Sequence, residues 1–265
     1  MLHKIPFQMK KFIAIIPSRF GSSRFPGKPL ADIAGKSMIQ RVYEQVIQAV
    51  EEAWVATDDE RIAEEVRRFG GKAVMTSSDH RSGTDRCAEA VRKIEAETGT
   101  KFEVVINAQG DEPFIHPNQI SALQKPFLED PDTEIATLIQ QISETEVLFN
   151  PAEAKIALDI NGNALFFSRM PIPMVFKSEE SDWIRKFSYH CHVGIYAYRS
   201  DILQKLSLLP EGLLEKAESL EQLRWLENGY KIKTVLTDHA TVGIDTPDDL
   251  RKIVAEGIEK YYVQR

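Results

Sequence analysis

The sequence is poor in cysteine, in long apolar runs and in positive charge. Cys87 and Cys191 are the only cysteines among 265 residues, and they stand far apart without metal-binding spacing. This usage excludes a disulfide framework and fits a reducing compartment, so we expect a cytoplasmic protein. No run approaches the ~18 apolar residues of a membrane span. The net charge of −7 offers nucleic acid no basic field, so we expect neither a membrane nor a nucleic acid as partner.

Two familiar phosphate-binding motifs are also missing. The first apolar run, residues 12–16, is followed neither by Gly-x-x-x-x-Gly-Lys-Ser/Thr nor by Gly-x-Gly-x-x-Gly, which argues against P-loop and dinucleotide-binding folds. Pro17 ends the predicted strand because proline cannot donate to a sheet ladder. Residues 19–28 of the loop that follows include two arginines, a lysine, two serines and two glycines. This composition suits a polyphosphate site, although a solvated basic turn would have the same composition.

Strands and helices alternate along the first half of the chain. The predicted strands are residues 12–16, 53–57, 72–76, 102–107 and 134–139, and the predicted helices are residues 38–47, 59–69, 84–97 and 118–128. This alternation predicts an α/β protein whose parallel sheet is wound by right-handed crossovers. The loop after the first strand would then lie at the sheet edge where such folds bind ligands.

The second half departs from this alternation. Asn161-Gly162 separates residues 155–159 from residues 164–168, which is a strong hairpin signal and predicts an added antiparallel element. A strand at 189–198, helices at 201–208 and 214–228, a strand at 231–236 and a helix from Pro247 follow. We predict one compact domain over residues 10–262 with a mostly parallel central sheet, preceded by an N-terminal extension at 1–9 that is too short for a secretory signal.

Two polar segments follow predicted strands and are candidates for ligand contacts. The segment 77–86 contains Ser82, Thr84 and Arg86, which can read the edge of a pyrimidine base, although a Ser/Thr helix cap in a solvated turn explains it equally well. Asp111 comes directly after the strand at 102–107. Magnesium is commonly held by one or two carboxylates plus substrate oxygens, so Asp111 is a candidate ligand, with a plain Asx turn as the alternative.

A second carboxylate and a pair of histidines complete the candidates. Thr246 and Asp249 form a predicted capping box that leaves Asp245, after the strand-like residues 240–244, free for a metal. His190 and His192 share one face of a predicted strand. Without a third ligand nearby, they predict one structural and one substrate-contacting histidine rather than a zinc site.

Seven motifs, taken together, resemble those of one known family. They are Ile-Pro at 16–17 with Pro-Gly-Lys-Pro-Leu at 26–30, Ser-Gly-Thr-Asp-Arg at 82–86, Gln-Gly-Asp-Glu-Pro at 109–113, Phe-Ser-Arg at 167–169, Gly-Ile-Tyr-Ala-Tyr-Arg at 194–199, Leu-Glu-Gln-Leu-Arg at 220–224 and Gly-Ile-Asp-Thr-Pro at 243–247. In this order, over about residues 11–250, they resemble the 3-deoxy-manno-octulosonate (Kdo) cytidylyltransferases, or CMP-Kdo synthetases.

The resemblance implies a nucleotidyltransferase α/β/α sandwich, usually a homodimer, that uses CTP and Mg²⁺ to make CMP-Kdo and pyrophosphate for lipopolysaccharide. Residues 11–113 would bind the nucleotide, and residues 114–255 would bind the sugar and form the dimer. By motif position, the triphosphate would contact Arg19, Ser22, Ser23 and Lys28, and the cytidine would contact Ser82, Arg86 and Gln109. The metal would be held by Asp111 and Asp245. The sugar acid would contact Arg169, His192, Glu221 and Gln222.

The implied reaction is attack by the anomeric hydroxyl of a sugar acid on the α-phosphorus of CTP. We expect metal at Asp111 and Asp245 to polarise that phosphate, while Arg19 and Lys28 offset charge on the leaving pyrophosphate. Cys191 stands where the family often has a basic residue, so a related acid such as 8-amino-Kdo is an alternative substrate. Sialic acid is a second alternative, because the Pro-Gly-Lys signature is shared across sugar nucleotidyltransferases. A nucleotide sensor without catalysis is the rival from another class, but it would not need two converging carboxylates.

Overall fold

The computed structural model describes residues 10–21, 24–239 and 242–262. Ser22 and Ser23, two of the expected triphosphate contacts, lie outside the described residues. The strands are β1 Phe12–Ser18, β2 Asp32–Ile33, β3 Lys36–Ser37, β4 Ala53–Thr57, β5 Ala73–Met75, β6 Val104–Asn107, β7 Ile135–Gln141, β8 Lys155–Leu158, β9 Ala164–Ser168, β10 His190–Arg199 and β11 Ile232–Leu236. The helices are α1 Met38–Val46, α2 Glu60–Arg68, α3 Gly83–Thr98, α4 Pro117–Glu129, α5 Thr145–Phe149, α6 Trp183–Lys186, α7 Ser200–Leu206, α8 Leu213–Glu218, α9 Gln222–Glu227, α10 Pro247–Glu256 and α11 Glu259–Tyr262.

The main sheet has the strand order β11-β7-β10-β6-β1-β4-β5. Every neighbouring pair on this path is parallel except the two pairs that involve β10, which runs antiparallel to both β6 and β7. The hairpin of β8 and β9 joins the sheet through antiparallel pairing of β8 with β10. The predicted α/β class, with a mostly parallel sheet and an antiparallel addition in the second half, is confirmed.

Helices cover both faces of this sheet, and residues 13–16 of β1 are fully buried between them. Ile13 and Ile15 belong to one core, which α3 and α7 cover, whereas Ala14 and Ile16 belong to the opposite core, which α1, α2 and α4 cover. Successive strand residues point to opposite faces, so an uninterrupted apolar run satisfies both cores at once. This is the expected α/β/α sandwich. Among the described residues, we find no helix with the length and apolar character to cross a membrane.

The predicted helix at 214–228 is wrong, because the structure breaks it at Ser219. This residue has a left-handed backbone, with φ of 52°, and separates α8 from α9. The Arg169 guanidinium donates to the carbonyls of Glu218 (2.7 Å) and Ser219 (3.2 Å), which the break leaves without helical partners. The sequence did not predict this break, because Arg169 lies about 50 positions from Ser219 and the helical spacing of apolar residues continues across the break.

The strand-like stretch expected before Asp245 is also different. Residues 240 and 241 lie outside the described residues, and residues 242–245 form no strand. A backbone hydrogen bond joins this segment to the loop after β6 instead, since the amide of Ile244 donates to the carbonyl of Asp111 at 3.2 Å. The segment carrying Asp245 is therefore tied directly to the segment carrying Asp111.

Candidate active site

A polar cleft of about 250 Å³ lies at the carboxyl edge of β1 and β6. The two strands are parallel neighbours, so the loops after them leave the sheet at the same edge. The cleft brings together seven of the residues singled out from the sequence: Arg19, Lys28, Ser82, Arg86, Gln109, Asp111 and Asp245. The structure therefore brings these seven residues together in one cleft, although they span more than 200 positions of the chain.

Gly110 allows the loops after β1 and β6 to meet. A Cβ atom at this position would lie 2.5 Å from Ser18 Oγ and 2.7 Å from the carbonyl oxygen of Pro17. Both distances are shorter than any normal contact, so a larger side chain would force the two loops apart. Gly27 lies near the other end of the loop after β1. It has a left-handed backbone, with φ of 73°, and caps the short 3₁₀ helix at Lys28–Leu30.

A cluster of two carboxylates and two cations lies within the cleft. Lys28 Nζ is 2.7 Å from Asp111 Oδ2 and 3.4 Å from Asp245 Oδ1. These two carboxylate oxygens are thus no farther apart than the sum of those distances, as the sequence-based prediction of a shared site requires. Arg24 makes a two-pronged contact with both oxygens of Asp245, each at 3.1 Å. Both carboxylate partners of Lys28 come from segments that are distant in the sequence.

The beginning of α3 forms the wall of the cleft expected to meet the base. Ser82 caps the helix by accepting from the amide of Asp85 at 3.1 Å, so the helix-cap interpretation of this segment is correct. Ser82 and Arg86 also line the cleft. The buried Arg86 donates to Thr76 Oγ1 at 2.6 Å and lies 3.5 Å from Asp58 Oδ2, which fixes its guanidinium.

The four residues assigned to the sugar acid do not line this cleft. Arg169 donates to the carbonyls of Glu218, Ser219 and Pro151, so all of its guanidinium nitrogens have backbone partners. Gln222 is buried, and its Nε2 has no partner among the described residues. Glu221 reaches toward the cleft, because its Oε2 accepts from Thr84 Oγ1 at 3.1 Å on the first turn of α3. Burial raises the pKa of Glu221.

His192 lies in an apolar and aromatic environment. Its Nε2 is 3.0 Å from Thr137 Oγ1, and its ring lies about 5.2 Å from the rings of Phe167 and Tyr196. Burial lowers the pKa of His192 from 6.5 to about 3. The neutral imidazole is therefore the form present in the folded protein at neutral pH.

This low pKa predicts an acid-dependent loss of stability. The unfolded chain gains a proton at His192 below pH 6.5 and the folded chain does not, so stability falls as the pH falls from 6.5 toward 3. By pH 5 this one group should cost at most about 2 kcal/mol. Urea unfolding at pH 7 and pH 5 measures the loss, and His192→Gln should show a smaller loss than the wild type. Equal losses in both proteins would contradict the assignment.

Three further cleft residues, Arg24, His80 and Arg81, were not assigned individually from the sequence. Arg24 is the second arginine of the basic β1 loop, so loop composition was the available signal. His80 contacts the carboxylate of Glu89.

No group of three or more His, Cys, Asp or Glu side chains suited to a metal occurs within residues 10–21, 24–239 and 242–262. Any metal at Asp111 and Asp245 would need ligands from a substrate or water.

Comparison with known proteins agrees with this geometry. A family model described as cytidylyltransferase matches residues 13–232. A Bacteroides thetaiotaomicron protein named 3-deoxy-manno-octulosonate cytidylyltransferase is 54% identical over 91% of this chain and 96% of its own length. The chain belongs to the 3-deoxy-manno-octulosonate cytidylyltransferase family. An Escherichia coli relative of the same name is 47% identical over 93% of this chain and 96% of its own length.

Two solved structures have a similar fold, and one of them supports the same family. A structure described as CMP:2-keto-3-deoxy-manno-octonic acid synthetase complexed with CTP superposes with a TM-score of 0.86 at 46% identity, covering 95% of this chain and all of that one. A cytidylyltransferase from Leptospira borgpetersenii, 15% identical with a TM-score of 0.58 over 97% of this chain and 98% of that one, shows a similar fold. The resemblance inferred from the seven motifs is confirmed, and so is the nucleotidyltransferase fold.

Proposed function

We propose that this 3-deoxy-manno-octulosonate cytidylyltransferase family member transfers CMP from CTP to Kdo and releases pyrophosphate. The observation that carries the proposal is the convergence of Lys28, Asp111 and Asp245 in one cleft of a chain 46% identical to a synthetase solved with CTP. Two relatives named 3-deoxy-manno-octulosonate cytidylyltransferase have about 50% sequence identity to this chain over more than nine-tenths of its length. A nucleotide sensor would not need the paired carboxylates.

The chain's own residues suit the binding of a nucleoside triphosphate. Arg19, Arg24 and Lys28 line the cleft, and their charges complement a triphosphate. Ser82 and Arg86 line it too, and their hydroxyl and guanidinium donors can meet the acceptors of a cytosine ring. In this arrangement the cations stabilise the charge that develops on the departing pyrophosphate, and the walls hold the α-phosphorus for attack.

We also propose that Asp111 and Asp245 hold Mg²⁺ during the reaction. The donor set fits this ion, which prefers few carboxylates and completes its shell with water and phosphate oxygens. The carboxylates already hold one cation between them, the ammonium of Lys28. When bound, Mg²⁺ would polarise the α-phosphate and lower the pKa of a coordinated hydroxyl.

Glu221 is the best-placed candidate for contact with the sugar acid. It accepts a hydrogen bond from Thr84 at the beginning of α3, and Gly83 next to Thr84 lines the cleft. His192, Gln222 and Arg169 lie on the same half of the chain, and we propose that they act on the sugar side. Gln222 Nε2 is a buried donor that a sugar oxygen can satisfy.

Replacement of Arg169 by lysine separates a sugar contact from a structural role. If its guanidinium binds the sugar carboxylate, Arg169→Lys should raise KM for Kdo far more than KM for CTP, because lysine offers no parallel donors. Steady-state kinetics with each substrate varied in turn measures this. The exposed Arg185→Lys is the control and should change neither value. Equal increases in both KM values, together with a lowered melting temperature, would show that Arg169 does not bind the sugar and only stabilises the helix break at Ser219.

We further propose a cytoplasmic homodimer that supplies CMP-Kdo for lipopolysaccharide. Exposed apolar side chains follow β9 in the second half of the chain, with exposed fractions of 68% at Met170, 62% at Met174 and 74% at Phe176. Such side chains are typical of surfaces that meet another protein. Sedimentation velocity at micromolar protein should give the mass of a dimer, and a persistent 30.1 kDa species would contradict it.

The experiment that tests the proposed function is pyrophosphate release from CTP with a series of sugar acids. Kdo should give the highest kcat/KM, above 8-amino-Kdo and sialic acid, and no release should occur without a sugar acid. A preference for 8-amino-Kdo would assign the alternative substrate, for which Cys191 is the motivating departure. CTP binding without release for any acid would favour the sensor.

A further inference from the structure

The ammonium of Lys28 lies between the two carboxylates that we propose as metal ligands. Its nitrogen is 2.7 Å from Asp111 and 3.4 Å from Asp245, and the lysine side chain is only 11% exposed. Hydrogen bonds between ionised groups are short and strong, so the contact with Asp111 holds the ammonium firmly. One positive charge therefore already lies between the two carboxylates before any substrate binds.

Arg24 completes this arrangement on the outer side. Its two terminal nitrogens each lie 3.1 Å from a different oxygen of Asp245, so both oxygens of that carboxylate have cationic partners. A guanidinium matches a carboxylate in this two-pronged geometry. A divalent cation that approaches Asp245 would meet the positive charges of both Arg24 and Lys28 at close range.

We propose that Lys28, assisted by Arg24, takes the place of the divalent cation until a nucleotide binds, so that metal binding depends on the nucleotide. This inference rests on the proposed metal site. A triphosphate brings several negative charges into the cleft that the same two side chains line. Transfer of Lys28 and Arg24 to the phosphates frees the carboxylates, and the phosphates provide oxygens for the metal. The metal therefore binds only weakly before the nucleotide, which favours an order of binding in which the nucleotide comes first.

Binding of Mn²⁺, an EPR-visible substitute for Mg²⁺, to the nucleotide-free protein tests this inference without turnover. Wild type should bind Mn²⁺ weakly, and Lys28→Met should bind it about tenfold or more tightly, because the competing charge is gone. Lys28→Arg keeps the charge and should resemble the wild type. Arg24→Gln should give a smaller increase, because Arg24 is 66% exposed and contacts one carboxylate.

The matched control is Arg81→Met. Arg81 lines the same cleft and is exposed, but no contact of its side chain with Asp111 or Asp245 is seen. Its loss lowers the positive charge of the cleft by the same amount, and Mn²⁺ affinity should stay within about threefold of the wild type because solvent screens a distant charge. If the Mn²⁺ affinity of Arg81→Met increased as much as that of Lys28→Met, the total charge of the cleft rather than direct competition by Lys28 would weaken metal binding. That result would overturn the inference.

The nucleotide supplies the second comparison. CTP, added without sugar acid, should tighten Mn²⁺ binding strongly in the wild type and much less in Lys28→Met, in which the carboxylates are already free. Equal Mn²⁺ affinity of the nucleotide-free wild type and Lys28→Met overturns the inference but leaves the proposed metal site standing. If Mn²⁺ binding to Lys28→Met survives the added change Asp111→Asn, the metal site itself is wrong, and the inference fails with it.

Discussion

Asp111→Asn and Asp245→Asn should each lower kcat by at least about 10²-fold, which corresponds to about 2.7 kcal/mol of lost transition-state stabilisation. Both side chains meet at the ammonium of Lys28, and no third acidic, histidine or cysteine ligand joins them within the described residues. A site with so few protein ligands depends on each of them. Steady-state kinetics at saturating CTP, Kdo and Mg²⁺ measures the effect.

Stability separates this effect from misfolding. The carboxylates of Asp111 and Asp245 are 39% and 49% exposed, and partly exposed ion pairs contribute little, so the ligand-free melting temperature should change little. Asp248→Asn is the matched control, because Asp248 is 81% exposed, lies three residues beyond Asp245 and pairs with Arg251 outside the cleft. Near-normal turnover in either active-site variant would contradict the assignment of these carboxylates to the metal.

Lys28→Ala should weaken CTP binding strongly and CMP binding little. The side chain lines the cleft from the β1 loop, where we place the β- and γ-phosphates, and CMP has neither. We expect a loss of about 10²-fold in CTP affinity, the size expected when a charged contact of a few kcal/mol is removed. Isothermal titration calorimetry with both nucleotides gives the comparison.

Lys36→Ala provides the control for that loss. Lys36 follows the same loop but pairs with Glu44 at 2.7 Å and does not line the cleft. Its removal should leave the affinity for both nucleotides unchanged. Similar losses for CTP and CMP in Lys28→Ala would move this residue away from the outer phosphates.

The sequence predicted those features of the site that depend on residues close together along the chain. The apolar run of β1 followed by a basic loop and the placement of Asp111 after β6 each depend on neighbouring residues. Parallel pairing of β1 and β6 then brings the two loops together by a general rule of α/β sheets. These regularities were sufficient to find the cleft.

The features that the sequence did not predict all depend on contacts between distant residues. The hydrogen bonds from Arg169 favour the helix break at Ser219 although no glycine or proline marks it. Asp245 reaches the cleft through the contact of Ile244 with Asp111 rather than by following a strand. Lys28 and Asp245 pair across 217 positions. No periodicity or spacing in the sequence encodes such partners.

The central claim is most directly tested by ³¹P NMR of a mixture of the protein with CTP, Kdo and Mg²⁺. The account predicts that the signals of CTP are replaced by equal amounts of pyrophosphate and a phosphodiester that joins CMP to the sugar, and that neither forms when Kdo is omitted. Release of inorganic phosphate with CDP, or formation of free CMP without a sugar phosphodiester, would contradict it.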